Sequence, residues 1–292
     1  MWTDAARERY KDDGRRYPSD LTEAEWQTIE PVLRSYATLT VDLREMVNAC
    51  LYLEKAGCPW RFLPKEFSPW QTVRTSVWPA LGRTWHDRLR ADGIWTDIAG
   101  LLTRAVRARQ GREPEPTTAI LDSQSVSSGP QAGPRGTDGN KKVRGIKRHV
   151  LTCSLGFVLA ALVTAANVHD TKPVGALLAL AAQNDWSVER VKVDGIYIGP
   201  RVAQAAQDHG VDVQVTTSVW PALGRTRDAD VKGFRPLPLR WRIEATFGTL
   251  SNRYHRLTRN LEQSPAAAED AVSIANCHRL LRAYHRPKYI AA

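Results

Sequence analysis

Three carboxylates in this sequence stand at the ends or on the faces of patterned segments. Asp122 closes the β-branched and aliphatic run TTAILD, and Asp194 closes VERVKVD. A carboxylate at a strand end is exposed at the sheet edge, where ligands of open α/β sheets collect. Glu244 falls in RWRIEATF, a helical pattern, with Arg240 one turn earlier on the same face. Three acidic groups brought together suit hard divalent cations, since magnesium takes oxygen ligands, usually one or two carboxylates with water or phosphate completing the shell. Two such ions about 3.5–4 Å apart can activate the attacking oxygen and stabilise the leaving oxygen of an in-line phosphoryl transfer. Any three carboxylates pass that chemical test. Plainer roles stay open: a cap or turn for each aspartate, an ion pair with Arg240 for the glutamate.

Between Asp122 and the next apolar run lies SSGPQAGPRGTDGNKKVRGIKRH, rich in Gly and Pro. It carries Arg135, Lys141, Lys142, Arg144, Lys147 and Arg148. Without apolar periodicity it reads as a mobile basic surface loop over 129–148, either a solvated charge run or a phosphate contact. The whole chain repeats the bias, with 41 Lys+Arg against 31 Asp+Glu and a net charge of +10. Excess of that size marks a polyanion partner, because each neutralised phosphate releases counterions.

The 292 residues allow two domains of unequal size, and 42% hydrophobic with 25% charged residues is ordinary globular composition. No apolar run approaches the length of a membrane span, and the charged N-terminal stretch does not read as a signal peptide. Four cysteines sit in no CxxC pair, which predicts reduced thiols in a cytoplasm and no zinc site. The seven histidines are scattered, with His149 and His169 as minor candidates.

The elements that must position the carboxylates follow from pattern. YPSDLTEAEWQTIEPVLRSY can be capped by Ser19, Asp20 or, the preferred candidate, Thr22, with acidic residues at Glu23 and Glu25 and the stripe Leu21, Trp26, Ile29, Leu33. A second helix over 41–55 ends at Gly57. This N-terminal unit, residues 1–108, suits a helix-turn-helix module, with a plain helical bundle as the alternative. RARQGREPEPTT places a linker at 109–118. Beyond it, over 119–292, RHVLTCSLGFVLAALVTAANVHD predicts two strands joined at Leu155-Gly156, and strands then alternate with helices. The fold class is α/β, a mixed sheet covered by helices.

The segments DSQSV, KKVRGIKRH, TAANVHD, VDGIYIG and PLRWRIEATF resemble, in order, the boxes of bacterial insertion-sequence transposases of the aspartate-aspartate-glutamate class, in particular the insertion-sequence-five group. YPSDLTEAEWQTIEPVL, VDLREMVNACLY and CPWRFLPKEFSPWQTV resemble the same group's N-terminal domain. The resemblance implies an RNase H-like catalytic core behind an all-helical DNA-binding domain. It implies Asp122, Asp194 and Glu244 as catalytic metal ligands for two Mg2+ ions, with Mn2+ as a substitute. The partners implied are double-stranded DNA, as element ends and as target, and a second copy of the chain in the DNA complex. The protein would be cytoplasmic and nucleoid-associated, and no membrane is involved. Arg240 matches the family arginine four residues before the glutamate.

Three departures stand out. The lysine many relatives carry seven residues after the glutamate is Ser251 here, so Arg253 or Arg256 would take its DNA contact. A family aspartate in the hairpin is Cys153, and the basic linker between the first helices is reduced to RSYATLT. A DNA-binding relic without activity and a nuclease of the same fold that joins no strands are the alternatives. Finally, TSVWPALGRT occurs twice without a change, over 75–84 and 217–226, and identity stops at both edges. Both copies fall where the family pattern has no extra residues, so they read as insertions, the first of them interrupting a helix at Pro79.

Overall fold

The structure, a computed structural model, describes residues 15–37, 42–75, 77–78, 83–130, 133–216 and 240–286, with 75, 77, 78, 83 and 240 in backbone alone. Helix α1 (Glu23–Leu33) starts at a reciprocal cap: the Thr22 hydroxyl accepts the Glu25 amide, and the Glu25 carboxylate accepts the Thr22 amide. Helix α2 (Leu43–Ala56) is capped by Asp42, which accepts the amides of Arg44 and Glu45. It ends on Gly57 at φ +66°, where a Cβ would stand 2.7 Å from the His255 backbone carbon. Only glycine suits both that left-handed turn and the close approach. Helices α3 (Trp70–Thr75), α4 (Trp85–Ala91) and α5 (Ile94–Arg109) complete the N-terminal unit, whose core includes Ile29, Leu33, Met46, Leu51, Leu89 and Trp95.

The first decapeptide copy occupies the gap between α3 and α4. Helix α3 stops on its first residue, and α4 starts on the residue after its last. Between them β1 (Val77–Trp78) and β2 (Arg83–Thr84) pair as a two-residue antiparallel ribbon. The second copy lies outside the described residues, as do the side chains of Trp78 and Trp220. Deleting residues 75–84 is expected to leave a folded chain. It removes the ribbon and the Thr84 cap that accepts the Asp87 amide, a loss of about 1 kcal/mol, and lets α3 run into α4. Thermal unfolding checks this, and a non-cooperative melt would make the tract part of the core.

Five main strands form the sheet: β3 (Thr118–Ser127), β5 (Arg144–Cys153), β6 (Val158–Ala165), β7 (Arg190–Val193) and β8 (Asp212–Val215). Their order is β6-β5-β3-β7-β8, with β3, β5 and β6 antiparallel in turn and β7 and β8 parallel to β3. The short β4 (Gly136–Thr137) pairs with the start of β5. Helices α6 (Val174–Gln183) and α7 (Pro200–Asp208) cover the face bearing Ala119, Leu121 and Val191. Helices α8 (Arg240–Arg253), α9 (His255–Thr258) and α10 (Pro265–His285) lie on the side of the other face, where Ile120 and Val150 meet Ile243, Phe247, Leu257 and Val272. Three antiparallel strands followed by two parallel ones, with helices on both faces, is the RNase H-like arrangement the resemblance implies.

The β5–β6 hairpin turns at Leu155-Gly156 as its sequence predicts. Gly156 sits at φ +80° and its carbonyl accepts the Thr246 hydroxyl at 2.7 Å, which docks α8 on the turn. The basic stretch before it differs from expectation. Residues 144–148 are strand rather than loop, because β5 is enclosed by β3 and β6 along its edges and by helices on its faces.

The two halves share one core. Helix α5 packs along α10, and residues of both lie in a single buried cluster with the sheet. Arg107 spans the expected linker, its Nε donating to the carbonyls of Glu113 and Pro114. Arg256 of α9 meets Glu262 at 2.6 Å and Glu54 of α2 at 3.6 Å. Burial pushes the Glu54 carboxyl up to about 8 despite Arg256, and Glu262 makes the closer contact with this guanidinium.

Candidate active site

Asp122 lies inside β3 rather than at its end, since the strand continues to Ser127. Period-2 alternation puts Asp122 on the same face as Ile120 and Gln124, the face under α8. Ile120 packs with Ile243, and the Gln124 amide donates to the Ser251 hydroxyl at 3.3 Å. Asp194 follows β7 directly and caps its own turn, with Oδ1 accepting the Ile196 amide at 2.9 Å. Strands β3 and β7 are parallel with Ile120 opposite Lys192. The paired register ends there, two residues before Asp122 on β3 and two before Asp194, which has already left β7.

A single phenol feels both groups. Tyr197 is 1% exposed, and its hydroxyl is pushed far above the usual tyrosine range. Burial is the main cause, and the negative charges of Asp122, Asp170 and Asp194 add to it. Asp122 within β3 and Asp194 just after β7 thus both act on the buried Tyr197 hydroxyl.

Glu244 is exposed on α8. Ser251 lies seven residues beyond it, two turns along the same stripe, so the Gln124–Ser251 contact shows that this stripe faces β3. Among the described residues, no group of three His, Cys, Asp or Glu side chains is placed to hold a metal ion. Asp122 thus lies in β3 and Asp194 just past the neighbouring parallel β7, while Glu244 stands on the helix whose Ser251 meets β3. Two carboxylates match the donor set that magnesium uses, with its remaining positions left to water and phosphate.

The basic residues sort into two classes. Arg135, Lys141, Lys142, Arg144 and Arg253 are exposed or half-buried at the surface. Lys147, Arg148 and Arg256 are buried, at 5%, 1% and 7% exposure. Arg148 donates to the Leu257 carbonyl at 2.7 Å, and burial lowers its guanidinium to about 10. These three hold the protein to itself, and as placed here they present no surface to a phosphate. Arg240 opens α8, and its side chain lies outside the described residues. His149 is held neutral, lowered to about 4 by burial, with Nε2 3.0 Å from the Thr164 hydroxyl. His169 contacts Thr171 in its own turn.

Residues 113–280, more than half of the chain, match the transposase DDE domain family. The chain belongs to the DDE transposases. Residues 21–99 match a second family, described as a putative transposase of the IS4/5 family. Among curated proteins, none matches the chain. As a DDE transposase it acts on DNA, through the metal-dependent nuclease and strand-transfer chemistry typical of that family. Among the described residues, no helix is long and apolar enough to cross a membrane.

The site also contains side chains that sequence reasoning passed over. On the face of β3 opposite Asp122, Ser123 donates to Asp170 at 2.7 Å and Ser125 to Asp138 at 2.5 Å. Lys147 stands between the two carboxylates, 2.9 Å from Asp170 and 3.5 Å from Asp138. Asp170 ends the family-like box TAANVHD and both serines lie in DSQSV. The segments are thus legible in the sequence, although the partnership between them is not.

Proposed function

We propose that this transposase cuts the ends of an insertion sequence at a centre formed by Asp122, Asp194 and Glu244. It then joins the freed 3′-hydroxyls to target DNA by direct transesterification at the same centre. The observation that supports this most is the parallel pairing of β3, which carries Asp122, with β7, which leads directly into Asp194, inside the DDE domain. Magnesium or manganese held there would activate the attacking oxygen and stabilise the leaving one. Asp122, fixed in a central strand, and Asp194, fixed by its own turn, present two carboxylates that need little reorganisation. Glu244 supplies the third from α8 when DNA and α8 close over the strand ends. The N-terminal helices recognise the element ends, and two copies of the chain hold two ends together.

The phosphate contacts fall to the surface cations Arg135, Lys141, Lys142 and Arg144, with Arg253 and Arg240 on α8. Replacing Lys141, Lys142 and Arg144 by alanine should flatten the dependence of log K on log salt, by up to about 0.9 for each phosphate that is no longer neutralised. Binding of a labelled end fragment across a salt series measures it, and an unchanged slope shows that this segment does not touch DNA. The reading as a whole is tested on a plasmid carrying the DNA that flanks the gene. Magnesium-dependent nicking at the ends with joined products supports it. Nicking without joined products reduces the protein to a nuclease, and the absence of both to a DNA-binding relic.

A further inference from the structure

We propose that the buried Lys147–Asp170–Asp138 network is a positioning device that fixes Asp122 for metal binding; it rests on the site assigned above. Strand β3 shows why such a device sits here. On the face turned away from α8 its first inward residues, Ala119 and Leu121, are apolar and buried beside Leu151 and Cys153. From Ser123 onward, starting at the residue next to Asp122, the same face becomes a charged network. An apolar continuation would have served packing alone.

The connections run from one ammonium to both serines. Lys147 is directly opposite Ser125 across the β3–β5 ladder. Its Nζ reaches Asp170, Asp138 and the Val168 carbonyl, the last at 3.0 Å. Asp170 accepts the Ser123 hydroxyl and Asp138 accepts the Ser125 hydroxyl. Asp138 is held in turn by the amides of Asn140 and Lys141, at 2.9 and 3.0 Å. Side chains alternate across a strand, so fixing Ser123 fixes the roll of β3 and hence the direction in which Asp122 leaves it. Asp170 also lies close enough to Tyr197 for its charge to act there, as Asp194 does. The network therefore acts on β3, the strand that carries Asp122. Outer-shell partners of this kind typically change metal affinity by 10–100-fold when removed.

The test uses the DNA-free full chain and manganese chloride alone, read as the rise in Tm with metal and as heat of binding. Ser123→Ala removes the hydroxyl that joins β3 to Asp170 and leaves every carboxylate in place. It should keep the metal-free Tm within a few degrees while raising half-saturation by roughly 10-fold or more. Ser123→Thr, which keeps the hydroxyl, should restore the wild-type value. If Ser123→Ala binds manganese as the wild type does, or Ser123→Thr fails to restore binding, the positioning role is overturned. Should Ser123→Ala not fold, Asp170→Asn takes its place with the same expectation of roughly 10-fold, and wild-type half-saturation there overturns the proposal. A wild-type chain whose Tm ignores manganese sinks the metal-centre reading instead, and this one with it.

Discussion

Asp122→Asn and Asp194→Asn are each expected to lose DNA nicking by at least roughly 1,000-fold while melting no lower than the wild type. The activity loss follows from the share of the barrier that metal ions supply, several kcal/mol of charge stabilisation at the reacting phosphate. Each step of about 1.36 kcal/mol is tenfold in rate. The stability expectation follows from the site's charge. Strand β3, which carries Asp122, pairs with β7, which leads into Asp194, and Asp170 is bound to Ser123 beside Asp122. Removing one negative charge there relieves repulsion, and asparagine keeps the acceptor that receives the Ile196 amide at Asp194. Glu244→Gln should lose nicking as well, though its exposed position on α8 makes its effect on Tm negligible. The measurement is plasmid nicking in magnesium beside thermal unfolding of the same preparations. Full activity in either aspartate variant would remove that residue from the centre, whatever its place in the sheet.

What could be read in the sequence, and what could not, divides along local and non-local lines. The Thr22–Glu25 cap, the Gly57 stop and the Leu155-Gly156 turn depend on neighbours in the chain, and the structure has all three. Only the first half of β5, RGIKR, was hidden, because its charges read as loop and nothing in it alternates. Its both-sided burial accommodates Lys147 and Arg148 through partners at Asp170 and Leu257, far off in sequence. A basic run reads as a solvated face unless those partners are known. The same holds for Arg256, expected on DNA and found between Glu54 and Glu262. Asp122 and Asp194 were legible only through the family-like boxes around them, since any acidic strand end passes the chemical test. The parallel pairing of the strands that lead to them is a non-local feature, which no local pattern encodes.

The largest stability effect is expected at the junction of the N-terminal helices with the catalytic domain. Arg282 of α10 donates through Nη1 to both oxygens of Glu25, at 2.9 and 3.0 Å, and through Nη2 to the carbonyls of Pro18 and Asp20. Its Nε donates to Nε2 of His278, a ring kept neutral by its burial and by the Arg282 charge beside it. Glu25 is fully buried and also completes the α1 cap. Arg282→Ala would leave that carboxylate enclosed without its cation and would remove the Arg282 donor from the Asp20 and Pro18 carbonyls, the latter keeping Arg15. Breaking one side of a buried pair destabilises by about 3–5 kcal/mol. For a chain of this size that is a fall in Tm of roughly 6–20 °C. Replacing both partners, as Glu25→Gln with Arg282→Met, should recover part of the loss, because an uncharged pair carries no unbalanced charge into the core. Calorimetry of the two single variants and the double variant gives the coupling directly. If Arg282→Ala melts within about 3 °C of the wild type, a shift worth roughly 1 kcal/mol, the N-terminal helices are held by apolar contact between α5 and α10 and not by this pair.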